Sequence, residues 1–118
     1  MASETWDDDL TNYIWSYYAG FCKPEEWKAN WAWVAERKRQ VGHEGFANIL
    51  WKQYQLADDP VVMELLRDGI PQFRRRVAER ILREHRAELF LNYCPQCQRI
   101  TRTPQALQCF LCGYDWHP

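Results

Sequence analysis

Four of the five cysteines in this 118-residue chain form two CxxC pairs, Cys94 with Cys97 and Cys109 with Cys112. A CxxC turn places two thiolates on one side of a tight loop, and two such turns together supply the tetrahedral sulfur set that zinc prefers. Since the first residues lack the basic and apolar regions of a secretory signal, we expect these thiols to bind metal rather than to form disulfides. The spacing therefore predicts one Zn²⁺ ion per chain, held by these four cysteines.

The predicted metal site is structural rather than catalytic. Four thiolates complete the coordination sphere and leave no position for water or substrate. Tetrahedral sulfur ligands also suit iron, so an iron site of the rubredoxin kind is the alternative. His117 is a further possible ligand, but the four-cysteine set is complete without it. Gly113 follows the second pair and gives its turn backbone freedom, whereas Gln98 in the same place after the first pair predicts a less ideal turn.

The segment that carries these cysteines resembles a known family. It runs from Asn-Tyr-Cys-Pro-Gln-Cys at residue 92 to Gln-Cys-Phe-Leu-Cys-Gly-Tyr-Asp-Trp-His at residue 117, and it resembles the zinc-ribbon family of four-cysteine modules. It is also similar to the tail of small uncharacterised bacterial proteins that end in a CPxC, RTP and QCxxCGxDWH arrangement. The resemblance covers residues 90–117. Because zinc ribbons include nucleic-acid-binding, protein-binding and purely structural modules, it implies a metal site but no particular function.

The first 89 residues carry the start and stop signals of five helices, which must position the cysteine pairs. Thr5 is expected to cap the first helix, and Pro24 and Pro71 stand in first turns, where the fixed φ of proline suits a helix. The Asp-Asp-Pro run at 58–60 predicts a stop followed by a new cap. The expected helices span residues 6–19, 24–39, 44–56, a short fourth segment that ends at Asp68-Gly69, and 71–88.

Apolar side chains recur at helical spacing on one side of four of these helices. The expected inward stripes are Leu10, Tyr13, Ile14 and Tyr17; Trp27, Trp31 and Val34; Phe46, Ile49 and Leu50; and Phe73, Val77 and Ile81. The predicted fold class is therefore mainly α, a small bundle of about five helices over residues 1–89. A zinc ribbon over 90–118 is expected to pack on this bundle as one compact unit. Short strands at 89–93, 99–103 and 106–109 would form its β-hairpin.

The composition is that of a folded protein rather than a disordered or membrane chain. Hydrophobic residues make up 47% of the sequence and aromatic residues 15%, more large apolar side chains than a disordered segment carries. No apolar run reaches the roughly 18 residues that a membrane span requires. We therefore expect no membrane association and a cytoplasmic location.

Motifs of common enzyme classes are missing from the sequence. His43-Glu44 begins like the zinc-protease motif but lacks its second histidine, and there is no phosphate-binding loop, dinucleotide fingerprint or nucleophile elbow. His43 and His85 are expected to be structural or solvated residues rather than general bases. The expectation is a protein that is not an enzyme, with no catalytic residue and no evident small-molecule substrate.

Three tryptophans, Trp15, Trp33 and Trp51, lie well away from the inward stripes of their helices, at over 100° when the chain turns by about 100° per residue. Either these helices pack on two sides, or the tryptophans line a surface groove that binds another protein. Residues 1–66 carry 11 acidic against 6 basic side chains, so such a partner is expected to be basic. By analogy, a sequestering or inhibitor-type protein such as a bacterial immunity protein or antitoxin fits this profile.

Nucleic-acid binding is the alternative function. Residues 67–118 carry nine basic side chains, all arginine, against five acidic ones. The candidate phosphate contacts are Arg75, Arg76, Arg80, Arg83, Arg99 and Arg102. Glutamates interleave with these arginines and the net charge of the chain is −1, which favours protein binding over nucleic-acid binding.

Overall fold

The computed structural model describes residues 8–118, so Thr5 and the predicted first turn of the first helix lie outside the described residues. The fold is mainly helical, as the sequence predicts. The helices are α1 (Asp8–Tyr17), α2 (Pro24–Gln40), α3 (Glu44–Gln53), α4 (Pro60–Leu65) and α5 (Ile70–Glu84). Single 3₁₀ turns follow at Ala19–Phe21, Leu56–Asp58 and Arg86–Glu88. Within the described part of the chain, no helix has both the length and the apolarity needed to cross a membrane.

The chain divides into two compact units. Unit 1 comprises the described residues of Met1–Phe21 together with Ala78–Pro118, and unit 2 is Cys22–Val77. Helix α5 contributes its first half to unit 2 and its second half to unit 1. The predicted division into residues 1–89 and 90–118 stays a prediction.

In unit 1, α1 buries Leu10, Tyr13 and Ile14, as the sequence predicts. The prediction for Tyr17 is wrong: it is the last residue of α1 and is exposed, with its ring resting against that of Tyr13. The Tyr13 hydroxyl donates a hydrogen bond of 2.7 Å to the carbonyl of Phe90. This bond joins α1 to the residues that lead into the first CxxC pair.

In unit 2, α2 packs against α3 with Ala35 buried at the contact, and Trp31 and Val34 of the predicted inward stripe pack partly buried beside it. Ala29, Ala32 and Ala35 are fully buried at three-residue spacing, whereas Trp27, predicted to face inward, is 46% exposed. Small side chains let the two helices approach closely, so the bulkier residues lie beside the contact. Trp31 is one of these and stacks on Tyr54, with ring centroids 4.4 Å apart.

The prediction for α3 is correct only at Leu50. Leu50 and Ala47 are buried against Ala35, but Phe46 and Ile49 are 49% and 58% exposed. Because Ala47 and Leu50 define the buried face, their neighbours in sequence turn to its outer sides. The helix also ends at Gln53, three residues earlier than expected, and a left-handed residue soon follows it.

Helix α4 follows the sequence signals closely, whereas α5 ends at Glu84, four residues before the predicted end at 88, and a 3₁₀ turn follows at Arg86–Glu88. Pro60 opens α4, and the Asp59 carboxylate caps it by accepting the backbone N–H groups of Val61 and Val62. A 2.7 Å ion pair between Lys28 and Asp59 joins α2 to this cap and, with those N–H groups, holds the pKa of Asp59 below its ordinary value. In α5 the predicted stripe is confirmed, since all three of its side chains are buried: Phe73, Val77 and Ile81.

The predicted β-hairpin is absent from the described residues. Two isolated antiparallel bridges stand in its place, Tyr93 with Ile100 and Gln108 with Asp115. Each bridge closes one CxxC turn, so strand pairing stops where the turn begins. Instead of forming one longer hairpin, the segment from residue 89 to 118, here called the cysteine segment, folds as two successive short loops.

Candidate metal centre

The four cysteines of the two CxxC pairs meet in one cluster. Their sulfur atoms, on Cys94, Cys97, Cys109 and Cys112, all lie within 4.8 Å of one another. The sulfurs of Cys94 and Cys112 are 3.6 Å apart, and so are those of Cys97 and Cys109. The cluster could therefore hold a metal ion, which marks this as a metal-stabilised small protein.

The sulfur spacing fits a tetrahedral ion. Zinc–sulfur bonds of about 2.3 Å at tetrahedral angles place the sulfurs about 3.8 Å apart. The 3.6 Å distances between sulfurs of different turns are close to this edge length. The donor set suits Zn²⁺ and also Fe²⁺ or Fe³⁺, because both metals accept four thiolates. The identity of the ion therefore remains a prediction.

The two CxxC turns repeat the same backbone pattern 15 residues apart. The N–H of Cys94 donates to the carbonyl of Arg99, and the N–H of Cys109 donates to that of Tyr114. The flanking bonds repeat in the same way, from Thr101 to Asn92 and from Trp116 to Leu107. The bridges Tyr93–Ile100 and Gln108–Asp115 are also related by 15 residues. The centre is thus built from two copies of one loop.

Each loop needs one left-handed residue after its second cysteine. Gly113 has φ +80° in the second loop, and Gln98 has φ 64° at the corresponding place in the first. The sequence predicts a less ideal first turn because of Gln98. The structure shows that the glutamine adopts the glycine-like conformation, so the strain lies in one residue and the loop shape is kept.

Backbone N–H groups point at the sulfurs. The N–H of Cys97 lies 3.4 Å from the Cys94 sulfur, and those of Leu111 and Cys112 lie 3.4 Å from the Cys109 sulfur. Such donors stabilise thiolates and reduce the charge that four of them would concentrate around an ion.

The thiols of one pair have pKa values displaced in opposite directions. Donation from the Cys112 N–H lowers the pKa of Cys109 to about 6, although burial opposes it. Donation from the Tyr114 N–H also lowers the pKa of Cys112. Burial and the neighbouring thiols of Cys94 and Cys109 outweigh it and raise the pKa of Cys112 to about 11. Four adjacent sulfurs therefore resist full deprotonation together unless a cation is present, as expected of a metal-binding set.

Asn92 is a structural residue of the centre that the sequence analysis missed. Its buried side-chain amide donates to three backbone carbonyls, those of Thr103, Pro104 and Ala106, at 3.1, 3.3 and 2.9 Å. These carbonyls belong to the stretch that connects the two CxxC loops. Asn92 therefore fixes the connection between them, and its place two residues before Cys94 was the available signal.

His117 does not join the cysteine cluster. Its Nδ1 lies against the carboxylate of Asp115, and its backbone N–H donates to the same carboxylate at 2.9 Å. Those contacts hold the pKa of Asp115 below its ordinary value. The metal-ligating group found in the described residues consists of the four cysteines.

The three tryptophans considered as partner contacts lie in different surroundings. Trp15 is 7% exposed, which supports the alternative interpretation of a helix packed on two sides. Trp51 is partly buried against the cluster of Ala35, Ala47 and Leu50. Trp33 is partly exposed and carries two arginine side chains against its ring. Of the three, Trp33 and Trp51 are the ones that keep part of their surface exposed.

Several arginines considered for nucleic-acid binding have intramolecular partners. Arg76 pairs with Asp68, and Arg80 pairs with Glu84 at 2.9 Å while donating to the carbonyl of Phe21. In the cysteine segment, Arg99 lies 3.6 Å from Asp9.

The remaining candidate arginines have different surroundings. Arg102 stacks 4.2 Å over the ring of Phe110, and Arg75 and Arg83 are exposed on α5. Nucleic-acid binding by the six candidate residues stays a prediction.

Comparison of the chain with models of protein families, with curated proteins and with solved structures finds no match in any of the three. The resemblance to a zinc ribbon therefore stays a prediction from the cysteine spacing, and the structure supports the cluster of four cysteines.

Proposed function

We propose that this is a non-enzymatic, zinc-stabilised protein-binding protein that sequesters or inhibits a partner in the cytoplasm. The role is of the kind that bacterial immunity proteins and antitoxins perform. Trp33 and Trp51 are the proposed aromatic contacts, and the metal serves only to hold the cysteine segment in shape.

One observation carries the proposal: α3 and the turn before it present apolar side chains to solvent. Phe46 and Ile49 lie one turn apart on α3, and Val41 in the preceding turn is also exposed. Neighbouring exposed apolar residues on a folded domain are typical of protein interfaces. We call these three residues the α3 patch.

The charge pattern favours protein over nucleic acid as the partner. A phosphate backbone needs several cations that can face it at once, because binding grows with the number of phosphates neutralised. Two of the candidate arginines on α5 already have acidic partners, since Arg76 pairs with Asp68 and Arg80 pairs with Glu84. Interleaved acidic groups would also repel a nearby backbone.

The test is affinity capture from the host cell with the tagged full-length protein. We expect one companion protein in stoichiometric amount, lost when Ile49→Asp places a charge in the α3 patch. Val61→Asp is the matched control, since Val61 is an exposed valine on another helix, α4. It should retain the companion.

Two results would overturn the proposal. One is capture of no stoichiometric companion by the wild-type protein. The other is a low-salt oligonucleotide complex that weakens on replacement of Arg75 or Arg83, which would establish the nucleic-acid alternative.

A further inference from the structure

A cavity of about 240 Å³ lies in unit 1 between α1 and the cysteine segment. Tyr13 and Thr101 line it and are buried, each 2% exposed. Ser16, Arg102 and Phe110 line it and are exposed. The cavity is therefore open to solvent and also reaches buried side chains, as ligand-binding sites do.

The cation that lines this cavity is Arg102. Its guanidinium carbon lies 4.2 Å from the centre of the Phe110 ring, and Phe110 stands between the two cysteines of the second CxxC pair. A guanidinium that lies over an aromatic face can still donate hydrogen bonds from its edge. Arg102 is exposed and forms no ion pair with another described residue. An anion from solvent can therefore reach it.

Asp9 lines the same cavity and limits which anion fits there. Its carboxylate lies 3.6 Å from Arg99 and forms no ion pair with Arg102, so the two charges in the cavity do not neutralise each other. A phosphate group carries up to about two negative charges and would be repelled by Asp9. A peptide carboxylate carries one charge, and the amide N–H beside it can donate to Asp9. The charges of the cavity therefore favour a peptide.

The size of the cavity favours the end of a peptide chain. Its volume of about 240 Å³ is below the roughly 300–1,000 Å³ of sites that hold drug-sized ligands. An Asp or Glu within a chain brings backbone on both sides, whereas the last residue brings backbone on one side only. The last residue also carries its carboxylate and its amide N–H close together, which matches one cation and one acceptor.

We propose that this cavity binds the C-terminal residue of a partner protein. Arg102 donates two parallel hydrogen bonds to the terminal carboxylate, Asp9 accepts the amide N–H of the same residue, and Phe110 contacts its side chain. The inference rests on the proposed function for the class of partner. Its residues are separate from the α3 patch, so a test of one does not decide the other.

The experiment is an NMR titration of the full-length, zinc-loaded protein with two peptides that differ in one group. Acetyl-Gly-Gly-Leu with a free C-terminal carboxylate is compared with the same peptide as its C-terminal amide. We expect the backbone amide signals of Thr101 and Phe110 to shift saturably with the acid. The amide form should bind at least about tenfold more weakly, because it lacks the charge that Arg102 binds. An amidated peptide with an internal Glu should bind no better than the amide.

Two charge-removing variants separate a specific site from general attraction. Arg102→Gln should weaken binding of the acid at least about tenfold and remove the preference for acid over amide. Arg83→Gln removes the same charge from α5, outside the cavity, and should weaken binding less than about twofold. Both side chains are exposed, so the fold should tolerate either change, and the comparison of acid with amide needs no variant.

Three outcomes would overturn the inference: equal binding of acid and amide, equal weakening by Arg102→Gln and Arg83→Gln, or tighter binding of inorganic phosphate than of the acid. The last would assign the cavity to phosphate. Capture of the companion by Arg102→Gln but not by Ile49→Asp would leave the proposed function standing and remove this inference. A positive titration with no captured companion would do the reverse.

Discussion

At Gln98 the backbone takes a conformation that glycine adopts freely and that other side chains resist. Its φ of 64° is imposed by the first CxxC loop, which copies the second loop, where Gly113 has φ +80°. A left-handed residue with a side chain costs roughly 1–2 kcal/mol, while glycine costs roughly 0.5–1 kcal/mol in lost chain entropy. The balance favours glycine at this position.

We therefore expect Gln98→Gly to raise the free energy of unfolding by about 0.5–1 kcal/mol, measured by urea unfolding of the zinc-loaded protein. Gln96→Gly is the control in the same loop. Gln96 lacks a positive φ, so glycine there should destabilise the protein. Equal effects of the two changes would show that the loop gains nothing from glycine at 98.

Tyr13 makes stability depend on pH in the alkaline range. Burial raises its pKa from 10.0 to about 12, although the Asn92 N–H opposes the shift. The neutral hydroxyl donates to the Phe90 carbonyl, and the phenolate cannot. Since the pKa is higher in the folded state, this contribution is complete below about pH 10 and is lost as the pH rises to about 12.

The measurement is the urea midpoint between pH 9 and 12 for the wild type, Tyr13→Phe and Tyr114→Phe. Tyr13→Phe should be less stable at pH 9 and should lose less further stability by pH 12. Tyr114 is exposed and serves as the control, because its replacement should leave the wild-type slope unchanged. Identical slopes in all three proteins would contradict the assignment to Tyr13.

At the scale of elements, the buried face of α2 is set by its alanines. Ala32 is fully buried between Ala29 and Ala35, so Ala32→Leu should overpack the contact and destabilise the protein by about 1–3 kcal/mol. Trp27→Gln should destabilise the protein less than Ala32→Leu does, because Trp27 is 46% exposed. Thermal unfolding of both variants checks this. A larger loss of stability from Trp27→Gln than from Ala32→Leu would show instead that the predicted stripe with Trp27 is the buried face.

The same helix shows why sequence reasoning succeeded in some places and failed in others. Proline and aspartate signals correctly located the start of α2 and the cap of α4, because a cap depends on residues within one turn. The inward face of α2 depends instead on how closely a second helix approaches. Of the large apolar residues, Trp31 and Val34 pack beside this contact and only Trp27 is exposed, while the fully buried positions are alanines because close approach selects small side chains.

In the cysteine segment, too, some predictions were correct and others were wrong. Thiol chemistry and CxxC spacing were enough to predict the cluster of four sulfurs. The predicted strands do not form because each loop closes after a single bridge. That closure is determined by the backbone around the sulfurs, which residue types alone do not predict. The role of Asn92 depends on three carbonyls distant in sequence, so composition and periodicity gave no sign of it.

At the scale of the whole molecule, the ligands of the predicted metal all lie in unit 1, whereas the core of Ala35, Ala47 and Leu50 lies in unit 2. Metal removal should therefore act unevenly along the chain. Without an ion, the clustered thiolates repel one another, and the loops lose the bonds that give them shape. The helix–helix core of unit 2 contains no cysteine ligand and buries its apolar side chains by itself.

Hydrogen exchange of the full-length protein, before and after chelation, measures this difference residue by residue. We expect one zinc per chain by elemental analysis. After chelation, the amide of Cys109, which donates to Tyr114, should lose its protection at least a hundredfold. The amide of Tyr54, which donates to Leu50, should change by less than threefold. Cys109→Ser should reproduce the exchange pattern of the chelated protein. Cys22→Ser alters a cysteine outside the cluster, so it should retain both zinc and protection.

Loss of protection at both amides would mean that the metal stabilises the whole chain, because local opening of the loops would then be coupled to global unfolding.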